Sequence, residues 1–157
     1  MYKCNIPCSK SICYLEDNNK CYYLRTYIKG YSLIHNKFID NPELLVDILV
    51  NIIKILRSLD KYNCPFKSKD NIGNDFVHGD LCLPNIYVDD NNNFAGFIDL
   101  DNSGVGDKWY DYSWLLWSLE YNLKTKKYNK VLLDRLRLTY NQEKYEKYIP
   151  EEYRKNN

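Results

Sequence analysis

The sequence predicts an α+β domain, on three observations. Strand-forming and helix-forming stretches are segregated along the chain instead of alternating, a long apolar run recurs with helical period in the first third, and one short hairpin separates that run from later helices. At 157 residues, with 45% hydrophobic and 27% charged side chains, the chain is sized for a single folded domain. Twenty-two Lys and Arg against 21 Asp and Glu leave a net charge of +1, which argues against a field for capturing nucleic acid or an acidic membrane. No apolar run approaches the ~20 residues that span a bilayer. Met1-Tyr2-Lys3-Cys4-Asn5 opens no apolar core of a signal peptide, so a cytoplasmic location is expected.

The elements follow in order. Ser11 to Leu15 reads as a strand, Glu16 to Lys20 as a polar turn and Cys21 to Ile28 as a second strand, which Gly30 ends. Asn41-Pro42 supplies an N-cap and a proline at the first helical position. Beyond it Leu44, Leu45, Ile48, Leu49, Ile52, Ile53, Ile55, Leu56 and Leu59 mark a buried helix from Glu43 to Asp60. A polar connection, 61–74, leads to Phe76-Val77-His78-Gly79-Asp80. Strands near 86–88 and 94–98 flank Asp89-Asp90-Asn91-Asn92-Asn93, which is expected to form a hairpin turn. After Gly104 and Gly106 come helices at 110–123 and 131–138, and Trp109, Trp114 and Trp117 are expected in the core. The polar tail from Gln142 is expected to be a fraying surface helix. Asp101 is either a spare carboxylate or a turn residue.

Four of the six cysteines crowd the start, at Cys4, Cys8, Cys13 and Cys21, with Cys64 and Cys82 further on. Their spacing lacks the paired short steps of a zinc ribbon, and no export signal favours disulfides, so reduced structural thiols are expected.

One constellation carries chemistry: His78-Gly79-Asp80-Leu81-Cys82-Leu83-Pro84-Asn85, followed by Asp99 at a strand end. Phosphoryl transfer needs an aspartate to accept the proton of an attacking hydroxyl, and an Asn and a second Asp to hold magnesium against nucleotide phosphates. The step from Asp80 to Asn85 lets a loop curl back on itself, and the hairpin delivers Asp99 to the same cleft. Protein kinases place H-R-D-L-x-x-x-N and D-F-G at these points.

The stretch from Phe76 to Leu123 resembles the aminoglycoside phosphotransferase family, particularly the 3'-phosphotransferases. Gly96-Phe97-Ile98-Asp99-Leu100, Ser103-Gly104 and Asp107-Lys108-Trp109-Tyr110-Asp111 carry the likeness alongside the catalytic run. The resemblance implies a protein-kinase-like fold: a mainly helical C-terminal lobe over 31–157 with a catalytic β-hairpin, and a remnant of the N-terminal lobe sheet with the hinge over 1–30. It implies Asp80 as catalytic base, Asn85 and Asp99 as magnesium ligands, Asp111 as a buried brace for the catalytic loop and His78 as its support. The backbone of Thr26 to Ile28 would meet the adenine edge of ATP or GTP. Glu120, Glu151 and Glu152 are the carboxylates at hand for a polycationic acceptor.

Before Tyr22 there is no glycine-rich run and no lysine in a V-A-I-K-like strand, so an N-terminally truncated first lobe is expected. Three outcomes therefore stay open. They are ATP- and Mg²⁺-dependent phosphorylation of a small-molecule hydroxyl, first of an aminoglycoside and otherwise of choline or a sugar; a kinase-like binding module with little activity; and a lobe that self-associates or is completed by another chain.

Overall fold

The computed structural model describes residues 6–62, 64, 66, 67 and 73–155. Cys4 lies outside them. Strands β1 (Ser11–Asp17) and β2 (Lys20–Arg25) form an antiparallel hairpin. Its turn is tighter than expected: only Asn18 and Asn19 form it, with φ of 44° and 66°, as a two-residue type I′ loop requires. The hairpin is exposed along nearly its whole length, including Ile12, Tyr14, Leu15, Tyr22, Tyr23 and Leu24.

The chain then enters a second sheet through β3 (Tyr31–Ser32), which pairs with β5 (Ile86–Val88), itself paired with β6 (Phe94–Phe97). Gly30 is required at this entry. Its φ is +136°, and a Cβ there would lie 2.1 Å from the Val88 carbonyl oxygen. A short helix α1 (Asn36–Ile39), capped by His35 Nδ1, precedes α2 (Pro42–Arg57). Helix α2 starts as the sequence predicts, with the Asn41 side chain accepting from Leu44 N–H and Pro42 at its first position. It ends three residues earlier than expected, at Arg57. Its apolar stripe buries Leu45, Leu49, Ile52, Ile53 and Leu56 completely or nearly so. Burying each such side chain is worth about 1.5–3 kcal/mol, so this helix anchors the core.

Two further strands, β4 (Asp75–Val77) and β7 (Gly104–Gly106), pair with each other and close the base of the site. The sequence reading missed β3, β4 and β7 because two- and three-residue strands carry no periodicity to read. Helix α4 (Lys127–Leu136) packs against both α2 and α3 (Lys108–Leu123), and Arg135 of α4 bridges Glu43 and Asp47 across the junction with α2. The tail corrects the expectation of a fraying surface helix. It forms α5 (Gln142–Tyr148) and α6 (Glu151–Lys155), and α5 docks on α3 with Tyr148 and Ile149 buried. Asp107 fastens this joint, capping α3 at Trp109 N–H while also accepting from Lys144 Nζ and Tyr148 Oη.

Candidate active site

The run from His78 to Asn85 leaves β4, crosses a tight loop and enters a one-turn 3₁₀ helix, Leu83–Asn85, that leads into β5. Gly79 sits at the sharpest point with φ of +87°, and a Cβ there would lie 2.3 Å from the Asn102 carbonyl oxygen. Here, where the protein-kinase run has Arg, no side chain fits.

Asp111 braces this loop from below. It is fully buried on the first turn of α3 and accepts the backbone N–H of His78 (3.1 Å) and of Gly79 (3.0 Å), so one carboxylate fixes two consecutive peptides. Its charge is balanced by Arg57, whose Nη2 donates at 2.7 Å while Nη1 holds the Phe76 carbonyl at 2.8 Å. Arg57 is a residue the sequence reading missed. The signal was present as a cation closing an apolar helix, but its partner lies 54 positions away.

His78 is buried and supports the loop. Its Nδ1 accepts from Asp80 N–H (3.2 Å) and its ring meets Phe97 edge-on at 5.0 Å. Its Nε2 has no hydrogen-bond partner among the described residues. Burial lowers its pKa, against the pull of the Asp111, Asp80 and Asp99 carboxylates, which favours a neutral ring.

Asp80 is half-buried, and neighbours orient both carboxylate oxygens. Asn85 Nδ2 donates to Oδ2 at 2.9 Å and to the Asp80 carbonyl at 3.0 Å, and Cys82 Sγ donates to Oδ1 at 3.1 Å. Burial and the Asp80 carboxylate push the Cys82 thiol pKa far up, so it stays a protonated donor. Ser118 of α3 accepts the Leu83 N–H at 3.0 Å and ties the loop's far end to the helix.

Because Asn85 spends its amide nitrogen on Asp80, its Oδ1 is the atom it can offer to a cation. Asp99 follows closely: the Ile98 N–H donates to the Asn85 carbonyl at 3.1 Å, which anchors the residue just before Asp99. Asp99 itself is exposed, with φ of 60°, a left-handed conformation that Asp tolerates better than most residues. The Asp80 and Asn85 side chains are thus brought together, and the backbone sets Asp99 one residue beyond a hydrogen bond to Asn85. Among the described residues no group of three or more His, Cys, Asp and Glu could hold a metal ion alone. Two hard oxygen donors suit magnesium, which is typically held by one or two protein carboxylates together with substrate phosphates.

Beside Asp80 opens a cavity of about 580 Å³, lined by Asn85 and Asn102 near the loop and by Trp114, Trp117, Tyr121 and Tyr153 further out. Trp114 and Trp117 are therefore cleft residues and not core, whereas Trp109 is buried as expected. The period of α3 puts Trp114 and Trp117 on the face of Ser118 and Tyr121, toward the loop. A larger hollow of about 790 Å³ between α3, α4 and α5 contains none of the motif residues.

Several expected substrate and nucleotide contacts do not assemble. Glu120 is buried and lines that remote hollow, 3.5 Å from Lys126 Nζ, because it projects from the opposite side of α3. Glu151 and Glu152 are exposed on α6 and do not line the Asp80 cavity, although Tyr153 beside them does. At the expected hinge, Thr26 N–H donates to the Lys10 carbonyl at 2.9 Å, continuing the β1–β2 ladder, so its N–H is not presented to a nucleotide. Half-buried Ile28 approaches Gly96. Asp89 is a turn residue, accepting from Asn91 and Asn93 N–H in the β5–β6 hairpin.

A family model described as the phosphotransferase enzyme family matches residues 74–146. A probable aminoglycoside 3'-phosphotransferase of Lactococcus lactis subsp. lactis (strain IL1403) is 30% identical over 165 residues, covering 78% of this chain. The chain spans 63% of that relative's length. An aminoglycoside 3'-phosphotransferase of Enterococcus faecalis is 39% identical over 74 residues, 47% of this chain and 28% of the relative. Among solved structures, aminoglycoside phosphotransferase APH(3'')-Id of Streptomyces rimosus ATCC10970, in complex with ADP and streptomycin, superimposes with a TM-score of 0.73 at 16% identity. The match covers 92% of this chain and 74% of that one. An aminoglycoside-3'-phosphotransferase of type VIII gives a TM-score of 0.71 at 16% identity, over 91% and 72%. These structural likenesses establish the kinase-like fold.

Proposed function

Because the chain belongs to the aminoglycoside phosphotransferase family, we propose that its Asp80 cleft transfers the γ-phosphate of ATP to a hydroxyl of a small molecule, with an amine-bearing sugar of the aminoglycoside kind as the first acceptor to test. The observation that carries this proposal is the hydrogen-bonded chain from Asp80 through Asn85 to the anchor of Asp99. It joins a proton acceptor to two hard oxygen donors, the parts that in-line phosphoryl transfer requires.

In this proposal, the acceptor hydroxyl donates its hydrogen bond to the Asp80 carboxylate, whose orientation Asn85 and Cys82 fix. As the acceptor oxygen bonds to the γ-phosphorus and the bond to ADP breaks, its proton passes to Asp80. Asn85 Oδ1 and the Asp99 carboxylate would hold Mg²⁺, which when bound neutralises charge on the phosphate oxygens. Asp111 and Arg57 keep the loop from shifting. General-base catalysis typically contributes 10²–10⁴-fold. In a coupled ADP-release assay with Mg-ATP and a panel of aminoglycosides, simple amino-sugars and amino-alcohols, Asp80→Asn should therefore lower turnover by about that factor. Undiminished turnover in Asp80→Asn, or none in the parent with any acceptor, would refute the proposal.

A second reading, a lobe completed by another chain, is favoured by the apolar side chains that β1 and β2 expose. A concentration-dependent mass in sedimentation would support it, and a strictly monomeric chain would exclude self-association.

A further inference from the structure

The carboxylates expected to hold a polycation are absent from the lining of the Asp80 cavity: among the described residues, Asp80 is the one acidic residue that lines it, and no Lys or Arg does. Aromatic rings stand there instead. Trp114 and Trp117 meet edge-on at 5.7 Å, and Tyr153 sits edge-on to both, at 5.7 and 5.4 Å. Trp117 stacks on Tyr121 with an interplanar angle of 20°. It is pinned by its Nε1–H to the Tyr153 carbonyl at 3.0 Å. Tyr121 and Tyr153 remain 45% and 42% exposed, so the cluster is rigid without being closed.

The cluster already holds a cation. Lys124, just past the end of α3, places its Nζ 4.0 Å from the centre of the Tyr121 ring. That contact shows a ring face with the geometry for an ammonium group. It also puts a fixed positive charge at the rim, which opposes an acceptor carrying several ammonium groups.

We propose that this aromatic wall is the acceptor subsite, and that it selects an amino-alcohol or amino-sugar carrying a single ammonium group over a polyammonium acceptor. The proposal rests on the phosphotransferase reading only for the meaning of the bound hydroxyl; recognition by the wall is independent of nucleotide. An ammonium group over the rings of Trp117 and Trp114 would leave a neighbouring hydroxyl directed along the cavity toward Asp80. Selectivity then comes from ring faces, which are insensitive to salt compared with carboxylate pairs.

The test is tryptophan fluorescence titration of the full chain without nucleotide, using glucosamine, tetramethylammonium and kanamycin as probes at two salt concentrations. Saturable quenching by glucosamine and tetramethylammonium is expected, with glucosamine binding more tightly than kanamycin. Trp117→Leu should weaken glucosamine by about tenfold, while Trp117→Phe retains most of the affinity. Mg-ATP affinity, measured in parallel, should be unchanged in both variants, which separates loss of the wall from loss of the fold. Tighter binding of kanamycin with a steep salt dependence would overturn the proposal, as would no binding of either monocation. Failure of Mg-ATP binding with intact amine binding would instead count against the phosphotransferase reading alone.

Discussion

Removing the Asp111 carboxylate is expected to destabilise the molecule far more than removing a surface charge. Asp111→Ala leaves the Arg57 guanidinium, whose side chain is only 17% exposed, without its anion. It also orphans the N–H groups of His78 and Gly79, both buried. Breaking one side of a buried pair typically costs about 3–5 kcal/mol, and the orphaned donors, at about 1–3 kcal/mol each, overlap with that figure and are not added to it. About 4 kcal/mol is therefore expected. At roughly 2–4 °C per kcal/mol for a domain of this size, the melting temperature should fall by about 8–16 °C. Urea denaturation followed by circular dichroism measures it. A double-mutant cycle with Arg57→Met should give a coupling of about 1–3 kcal/mol, because the two side chains touch. A loss below about 1 kcal/mol, the range of exposed pairs, or a coupling near zero would refute the account of Asp111 as the loop's brace.

Three further outcomes follow from the same loop. Gly79→Ala should cost at least about 2 kcal/mol in urea denaturation and distort the loop, because φ of +87° and the 2.3 Å approach to Asn102 leave no space for a methyl group; a neutral substitution would contradict this geometry. Burial depresses the His78 pKa in the fold, so its contribution to stability should be full above the unfolded value of ~6.5 and be lost as pH falls from there through the folded value. A stability profile whose slope between pH 7 and 5 is unchanged in His78→Gln would contradict it. Cys82, buried and held protonated against Asp80, should resist alkylation at pH 8 until the chain unfolds, while exposed Cys21 is modified in the native state; mass-mapped labelling reads both, and rapid native labelling of Cys82 would count against its placement.

Long, capped elements were legible from sequence because the physics that builds them is local. Asn41-Pro42 and the apolar period placed the start of α2 to within a residue, and the strand expected near 86–88 is Ile86–Val88. The pairing of Asp80 with Asn85 was also legible, since a five-residue step within one loop can curl back on itself. Partners distant in the chain were not. Arg57 reaches Asp111 across 54 positions and Ser118 reaches Leu83 across 35, and no spacing rule encodes either. The aromatic residues misled for a related reason: an amphipathic helix has two candidate faces, and only the packed loop shows that Trp114 and Trp117 turn toward the cleft. Glu120 went astray in the same way, onto the far side of α3.

Calorimetric titration with ATP, with and without Mg²⁺, on the parent chain and on Asp99→Asn tests the proposed catalytic cleft most directly. Asn tolerates the left-handed backbone that Asp99 adopts, so the substitution removes the charge and preserves the fold. The proposed arrangement predicts saturable binding that requires Mg²⁺ and weakens at least about tenfold in the variant, a loss of ~1.4 kcal/mol. Binding of equal strength in the variant or without Mg²⁺, or no binding to a cooperatively folded parent, would contradict it.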